Sequence, residues 1–181
     1  MLKQSAKTAL GGITAALSLV LLFLLSVFPS ATIAAPAVAS ILMIFLVLEL
    51  GKGWAFGVYA AVSVLSLMII PSKEAAILYT VFFGYYPILK AILEKHIHRR
   101  PIEWILKILL FAAIMTGSYY LMIRFMGIEF EEIDKYGKAA IPLLLGVGTV
   151  AFVGYDYCLT LFVAQYLRQW QKRFKKLFRV N

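Results

Sequence analysis

A few ionisable residues lie inside long apolar stretches of this sequence, where they could do chemistry. Asp156 lies about 18 Å along a helix from Arg168, too deep in its apolar run to reach an interface alone. Because a charge at membrane depth is costly, we expect Asp156 to pair with a lysine such as Lys107 or to accept hydrogen bonds from tyrosines. Two roles stay open for this buried charge, namely packing within the protein and coupling to the movement of a proton.

Arg124 follows two tyrosines, Tyr119 and Tyr120, near the end of another apolar stretch. A guanidinium offers a planar fork to a carboxylate or a phosphate, and the aromatic rings beside it offer stacking surfaces. The alternative is an interfacial belt of tyrosines with an arginine that reaches toward the lipid headgroups. Tyr79 and Phe83 have the same alternatives, because their spacing does not show whether they belong to an interfacial belt, to the core or to a pocket.

The sequence contains few patterns that are typical of catalysis. His96 and His98 stand in a basic connection, and no cysteine or carboxylate is spaced to complete a metal site with them. The sequence has no glycine-framed serine, no HExxH motif and no phosphate-binding loop. We therefore predict a protein that is not an enzyme and that holds no metal and no cofactor.

The composition indicates an integral membrane protein. Hydrophobic residues make up 62% of the chain and charged residues 15%, with a mean hydropathy of +0.88, whereas soluble domains are about half apolar. The formal net charge of +9 comes from basic residues that lie between apolar runs, where they set orientation in the membrane. Nucleic acid is therefore not expected as a partner. The one cysteine, Cys158, excludes an intramolecular disulfide.

Six apolar stretches are of the length that a helix needs to cross about 30 Å of hydrocarbon. The predicted fold is all-α, an integral membrane bundle of six transmembrane helices. The predicted spans are residues 8–28, 33–50, 53–70, 74–93, 102–125 and 139–167. Together they form a transmembrane domain, residues 1–167, which is followed by a basic amphipathic tail, residues 168–181. Pro71 and Ser72 predict a stop and a helix cap before the fourth span.

The charges of the connections predict an orientation. If six helices alternate, both ends of the chain and the even-numbered connections share one side, and that side carries most basic residues. By the positive-inside rule, both termini are cytoplasmic in a multi-pass protein of the cell membrane. The tail has one apolar face, and we expect it to lie on anionic lipid or to contact a cytoplasmic partner. That face consists of Trp170, Phe174, Leu177 and Phe178.

The first span carries small residues at four-residue spacing. Thr8, Gly12 and Ala16 form one stripe, and Gly11 and Ala15 lie beside it. Such a stripe lets another helix approach closely. The neighbour is either a helix of the same chain or a helix of another membrane subunit.

These features together resemble the substrate-binding membrane subunit, or S component, of energy-coupling factor (ECF) transporters. The resemblance rests on six short helices with both ends inside, the small-residue first helix, the uncharged outer connection FPSATIAAP and the glycine-marked third helix GKGWAFGVYAA. It covers most of the chain in architecture. The family's first-helix motif has alanines at both ends, and the matching positions here are Gly11 and Ala15, or Gly12 and Ala16.

The resemblance implies a small vitamin-like or metal-ion substrate that is captured from outside. It implies three partner chains, namely one transmembrane coupling protein and two ATPase subunits, and a subunit that topples in the membrane to release its substrate inward. The family's metal-selective members use an N-terminal histidine, and none lies near Met1. A small organic micronutrient is therefore the better expectation, and the first-helix small residues become the predicted docking site.

The expected substrate pocket opens outward between the outer halves of the fourth, fifth and sixth helices. The candidate substrate-binding residues are Glu74, Tyr79, Phe83, Tyr120, Arg124 and Thr149.

Two other functions remain open from the sequence. One is a self-contained small transporter or channel that uses Asp156 as its coupling charge. The other is a structural or assembly membrane protein that binds no small molecule.

Overall fold

The computed structural model describes residues 4–28, 31–97, 99–121 and 140–170, without the side chains of residues 119–121, 140–144 and 170. Throughout these ranges the regular elements are helical. Arg124 and residues 171–181 of the amphipathic tail lie outside the described residues, as does the end of the predicted fifth span.

Seven α-helices and two π-helical segments are seen in the described ranges. The α-helices are α1 (Gln4–Ser26), α2 (Ala34–Glu49), α3 (Lys52–Ile69), α4 (Lys73–Leu78), α5 (Tyr86–His96), α6 (Arg100–Leu121) and α7 (Ala140–Gln165). The π-helical segments are π1 (Tyr79–Phe83), between α4 and α5, and π2 (Tyr166–Trp170), after α7.

Five helical stretches in the described part of the chain are long and apolar enough to cross a membrane. They are Gln4–Ser26, Lys52–Ile69, Lys73–His96, Arg100–Ser118 and Leu145–Gln169. The prediction of an all-helical protein of membrane type is confirmed at this level. The predicted second span is a shorter apolar helix, α2, of 16 residues, which is below the roughly 20 that a perpendicular crossing needs. A sixth crossing therefore stays a prediction.

The chain forms two compact units, and the boundary between them falls within α5 and within α7. The first unit consists of Met1–Ile92 and Cys158–Asn181, and the second of Leu93–Tyr157.

In the first unit, α1 packs against both α2 and α3. Each helix contributes small side chains to the contact, which lets the backbones come close without the hydrophobic driving force that water supplies to soluble proteins. The resulting core consists of Leu22, Ala35, Ala39, Met43, Leu46, Leu50, Ala55, Val58, Val62, Ile70, Ala76, Tyr79 and Ile88. The first unit is thus held mainly by close packing of apolar helix faces.

Two tight connections place α2, α3 and α4. Gly51 adopts φ +89° between α2 and α3, a conformation that residues with a side chain rarely take. Between α3 and α4, Ser72 accepts a hydrogen bond from the backbone N–H of Ala75, so the predicted cap is confirmed. Lys73 Nζ donates to the carbonyl of Leu67, 2.8 Å away, and so satisfies a carbonyl near the end of α3.

The predicted fourth span is not one continuous α-helix. It consists of α4, π1 and α5, and more than half of it is buried, against less than a third of each other long span. Pro87 is the second residue of α5 and has no N–H to donate to the π-helical segment that precedes it. The most buried span of the described chain is therefore interrupted near its middle.

In the second unit, α6 meets the first part of α7 through stacked aromatic rings. The rings of Phe111 and Phe152 lie 4.7 Å apart at an interplanar angle of 10°. Gly148 faces the same ring, since a Cβ there would lie 3.3 Å from Phe111 Cζ. Close approach at a small residue again makes the contact.

Truncation of Leu22 to alanine should destabilise the first unit, because Leu22 is 0% exposed in its core. We expect a loss of about 1 to 3 kcal/mol, below the usual range for soluble proteins because lipid replaces water as the outer medium. Leu24→Ala is the matched control, since Leu24 is 57% exposed on the same helix. Unfolding by SDS in mixed micelles measures both, and equal losses would contradict the assigned core.

Candidate functional site

An open apolar groove of about 400 Å³ runs between α1 and α3. Thr8, Gly11, Gly12 and Ala15 line it from α1, and Gly53, Trp54, Gly57, Val58 and Ala61 line it from α3. Most of these side chains are small because the two helices carry matching stripes at four-residue spacing. The groove therefore has a floor of helix backbone and methyl groups.

The glycines of the groove fall into two kinds. A Cβ at Gly12, Gly53 or Gly57 would meet nothing within 4 Å, so these positions face open space. A Cβ at Gly11 would lie 3.2 Å from Val58 Cγ2, so Gly11 serves the contact between α1 and α3. The neighbouring residues Gly11 and Gly12 thus differ, since Gly11 lies at a contact inside the unit and Gly12 lies on its surface.

A groove of this shape suits another transmembrane helix. Open glycines let a second backbone approach to the distance at which Cα–H groups contact carbonyl oxygens. The hydroxyl of Thr8 already donates to the carbonyl of Gln4 at 3.2 Å, which leaves the groove apolar in character. Lys7 and Lys52 are the sequence neighbours of lining residues Thr8 and Gly53, so basic groups accompany one end of each stripe.

The predicted docking residues divide along the same lines. Gly11, Gly12 and Ala15 line the groove, whereas Ala16 is exposed elsewhere on α1. The sequence also contains the small-residue ridge of α3, but spacing alone did not indicate that the two ridges share one groove. Trp54, a bulky lining residue, had no sequence signal at all.

A second cluster lies in the second unit, around the ammonium of Lys107. Its Nζ lies 2.6 Å from Glu103, 3.1 Å from Glu94 and 3.3 Å from Asp156. The ring of Trp104 adds a cation–π contact at 5.4 Å. The side chain of Lys107 is 1% exposed, and the carboxylates of Asp156, Glu103 and Glu94 are 3%, 15% and 42% exposed.

The Lys107 cluster satisfies a buried charge by matching donors to acceptors. An ammonium has three N–H groups, and three carboxylates surround it. If all four groups are ionised, the cluster has a formal charge of −2, which the exposure of Glu94 to its surroundings relieves. Asp156 is thus paired with the lysine that the sequence indicated as a partner.

The central place of Lys107 in this cluster was not predicted from the sequence. The sequence indicated it only as a possible partner of Asp156, yet it is the centre of the cluster. The available signal was the spacing of Glu103 and Lys107, four residues apart on one helix, which favours an ion pair. Glu94 lies on α5, and no sequence pattern brings it to the same point.

The candidate substrate residues occupy different places. Tyr79 and Phe83 are buried in π1, and Glu74 is half-buried in the first turn of α4. Thr149, in the second unit, donates its hydroxyl hydrogen bond to the carbonyl of Leu145 at 2.7 Å. The side chain of Tyr120 and the whole of Arg124 lie outside the described residues. A common pocket for these six residues stays a prediction.

Comparison with models of known protein families, with curated protein sequences and with solved structures gave no match.

Removal of Lys107 should destabilise the protein far more than removal of Asp156. Lys107→Met leaves three carboxylates without their cation, and we expect a loss of about 3 to 5 kcal/mol. Asp156→Asn leaves Lys107 with Glu94 and Glu103, so the loss should be nearer 1 kcal/mol, roughly that of one hydrogen bond. The double variant should lose less than the sum of the two single variants.

SDS-induced unfolding in mixed micelles measures these losses, and Lys95→Met, at an exposed lysine, is the control. A loss in Asp156→Asn as large as that in Lys107→Met would show that Lys107 is not the centre of the cluster.

Proposed function

We propose that this chain is the substrate-capture subunit of an ECF-type importer for a small organic micronutrient. In this proposal the chain crosses the cell membrane six times with both termini in the cytoplasm. It docks through α1 to a transmembrane coupling protein that works with two ATPase subunits. The basic tail adds a contact with anionic lipid.

The groove between α1 and α3 carries this proposal. Its open glycines expose helix backbone on a surface that would otherwise need only lipid-compatible side chains such as leucine. A lipid chain gains nothing from a glycine floor, whereas a partner helix gains close van der Waals contact along its length. A subunit that must dock and release suits such a surface, because small-residue contacts are extensive yet need no buried ion pair.

The proposed substrate is a small organic molecule, because aromatic rings and one guanidinium are found among the candidate residues. Its binding would involve Glu74, Tyr79 and Phe83 from the first unit, with Tyr120, Arg124 and Thr149 as the remaining candidates. Aromatic rings and one guanidinium would suit a ligand with a flat ring and an acidic group.

The Lys107 cluster favours a second candidate function, a small transporter coupled to protons. Three carboxylates, of which Asp156 is buried, surround one ammonium, and the arrival of a proton could change the charge balance of the cluster. In this case the chain alone would transport its substrate in liposomes. The ECF proposal expects no net uptake without the ATPases.

Purification of the full-length tagged chain from its native membranes tests the proposal. Mass spectrometry of the bound proteins should find a polytopic coupling protein and ATPases, and extraction should release a small organic molecule. Recovery of the chain alone, together with uptake by the chain alone in liposomes, would favour the proton-coupled transporter. Recovery with neither partners nor a small molecule would favour a structural protein.

Gly12→Leu should abolish recovery of the coupling protein. The leucine would fill the groove, yet a Cβ at Gly12 meets nothing within 4 Å, so the variant should fold and insert at the wild-type level. Co-purification yield measures the effect, and we expect at least a tenfold fall, which corresponds to about 1.4 kcal/mol.

Gly154→Leu is the matched control, since Gly154 is an exposed glycine on α7 with no atom near its Cβ position. This variant should keep the partner. Equal recovery of the coupling protein by Gly12→Leu and wild type would rule out docking at the groove.

A further inference from the structure

The interruption of the most buried helix has no role in docking. In π1, the backbone N–H of Gly84 donates to the carbonyl of Tyr79 at 2.7 Å, five residues back. Pro87 has no N–H to offer to the preceding turn, and Ile88 and Leu89 both donate to the carbonyl of Tyr85 at 3.0 Å. The regular hydrogen bonds of an α-helix therefore do not run from α4 into α5.

One hydrogen bond from a neighbouring helix holds this interruption. Tyr59 of α3 donates its hydroxyl hydrogen bond to the backbone carbonyl of Thr80 at 2.6 Å. Beside it, Gly84 leaves room for two aromatic rings, since a Cβ there would lie 2.7 Å from Tyr59 and 2.9 Å from Tyr79. The rings of Tyr59 and Tyr79 lie 6.4 Å apart. The hydroxyl of Tyr59 thus bonds the carbonyl of Thr80 within the interruption, and the rings of Tyr59 and Tyr79 fill the space beside Gly84.

The hydroxyl of Tyr79 works against this packing. It is fully buried and has no hydrogen-bond partner within the described part of the chain. A buried hydroxyl without a partner loses its hydration and gains nothing in return, so it destabilises the closed packing relative to any arrangement in which it meets water. Tyr59 therefore stabilises the closed interruption, and Tyr79 destabilises it.

We propose that the interruption from Tyr79 to Pro87 is a hinge between α4 and α5, and that the Tyr59 to Thr80 hydrogen bond is its latch. In the open state the Tyr59 hydroxyl leaves the Thr80 carbonyl, and water reaches both that carbonyl and the Tyr79 hydroxyl. The hinge is independent of the proposed docking. It makes the interior of the first unit a place that opens to water without unfolding of the neighbouring helices.

Two substitutions that each remove a single oxygen atom test the hinge in opposite directions. Tyr59→Phe removes the latch and should raise the open population. Tyr79→Phe removes the unpaired hydroxyl and should lower it. Each change should be about fivefold, the factor that corresponds to roughly 1 kcal/mol for one hydrogen bond.

Hydrogen–deuterium exchange of the full-length protein in lipid nanodiscs measures the open population, from peptides that cover residues 79–88. Peptides that cover residues 39–46 of α2 report global stability and should exchange at the wild-type rate in every variant. Tyr157→Phe, at an exposed tyrosine, is the control for loss of a hydroxyl and should leave residues 79–88 unchanged.

Faster exchange in Tyr59→Phe together with slower exchange in Tyr79→Phe supports the hinge. Unchanged exchange in both variants would mean a fixed kink, and faster exchange in both would mean general loosening. Either of these results, or a response of only one variant, overturns the proposal.

Discussion

Hydrocarbon offers no hydrogen bonds, so a chain that lies in it must satisfy its own polar groups. Side-chain hydroxyls on the apolar helices accordingly bond to the backbone of their own helix, as Thr14 does to Leu10 at 2.8 Å and Ser118 to Ile114 at 2.7 Å. Where a charge is buried, as at Lys107, carboxylates from other parts of the second unit surround it. Most polar groups of the described chain accordingly form short local bonds or clusters, whereas the buried hydroxyls of Ser18, Ser63 and Tyr79 have no hydrogen-bond partner there.

The same medium changes what holds the helices together. Because lipid is as apolar as a leucine side chain, association depends on how closely two backbones can approach. In the first unit small residues occur in two settings, namely at a contact between two helices and on an open surface. Gly11 brings α1 against Val58 of α3. At Gly12, the next residue, a Cβ would meet no atom within 4 Å. The proposed partner helix would use this open stripe for close backbone contact.

Much of the architecture could be predicted from the sequence, because hydropathy and helix caps are local properties. The long apolar helices and the cap at Ser72 are where the pattern put them. The bounds of α2, Ala34–Glu49, likewise lie within one residue of the predicted span 33–50. The interruption at Tyr79 could not be predicted, because it involves Tyr59, which lies twenty residues earlier on another helix. Likewise, the sequence predicted the pairing of Asp156 with Lys107, and the four-residue spacing of Glu103 and Lys107 favours a second pair, but only the fold brings in Glu94. The groove is a similar case. The small-residue stripes of α1 and α3 can each be found in the sequence, but the sequence does not show that they line one groove.

The position of the interruption follows from the same constraint. A helix that faces lipid must keep its regular hydrogen bonds, because nothing outside can replace one that is lost. Among the described spans, Lys73–His96 is the one that is more than half buried, and there Tyr59 supplies a substitute bond to the carbonyl of Thr80. A substitute from a side chain is easier to break than a backbone bond, since a change of one side-chain rotamer about χ1 releases it while the flanking helices keep their own bonds. In the proposed hinge, local opening occurs within the most enclosed helix of the first unit, and it leads from the interior outward and not from the lipid inward.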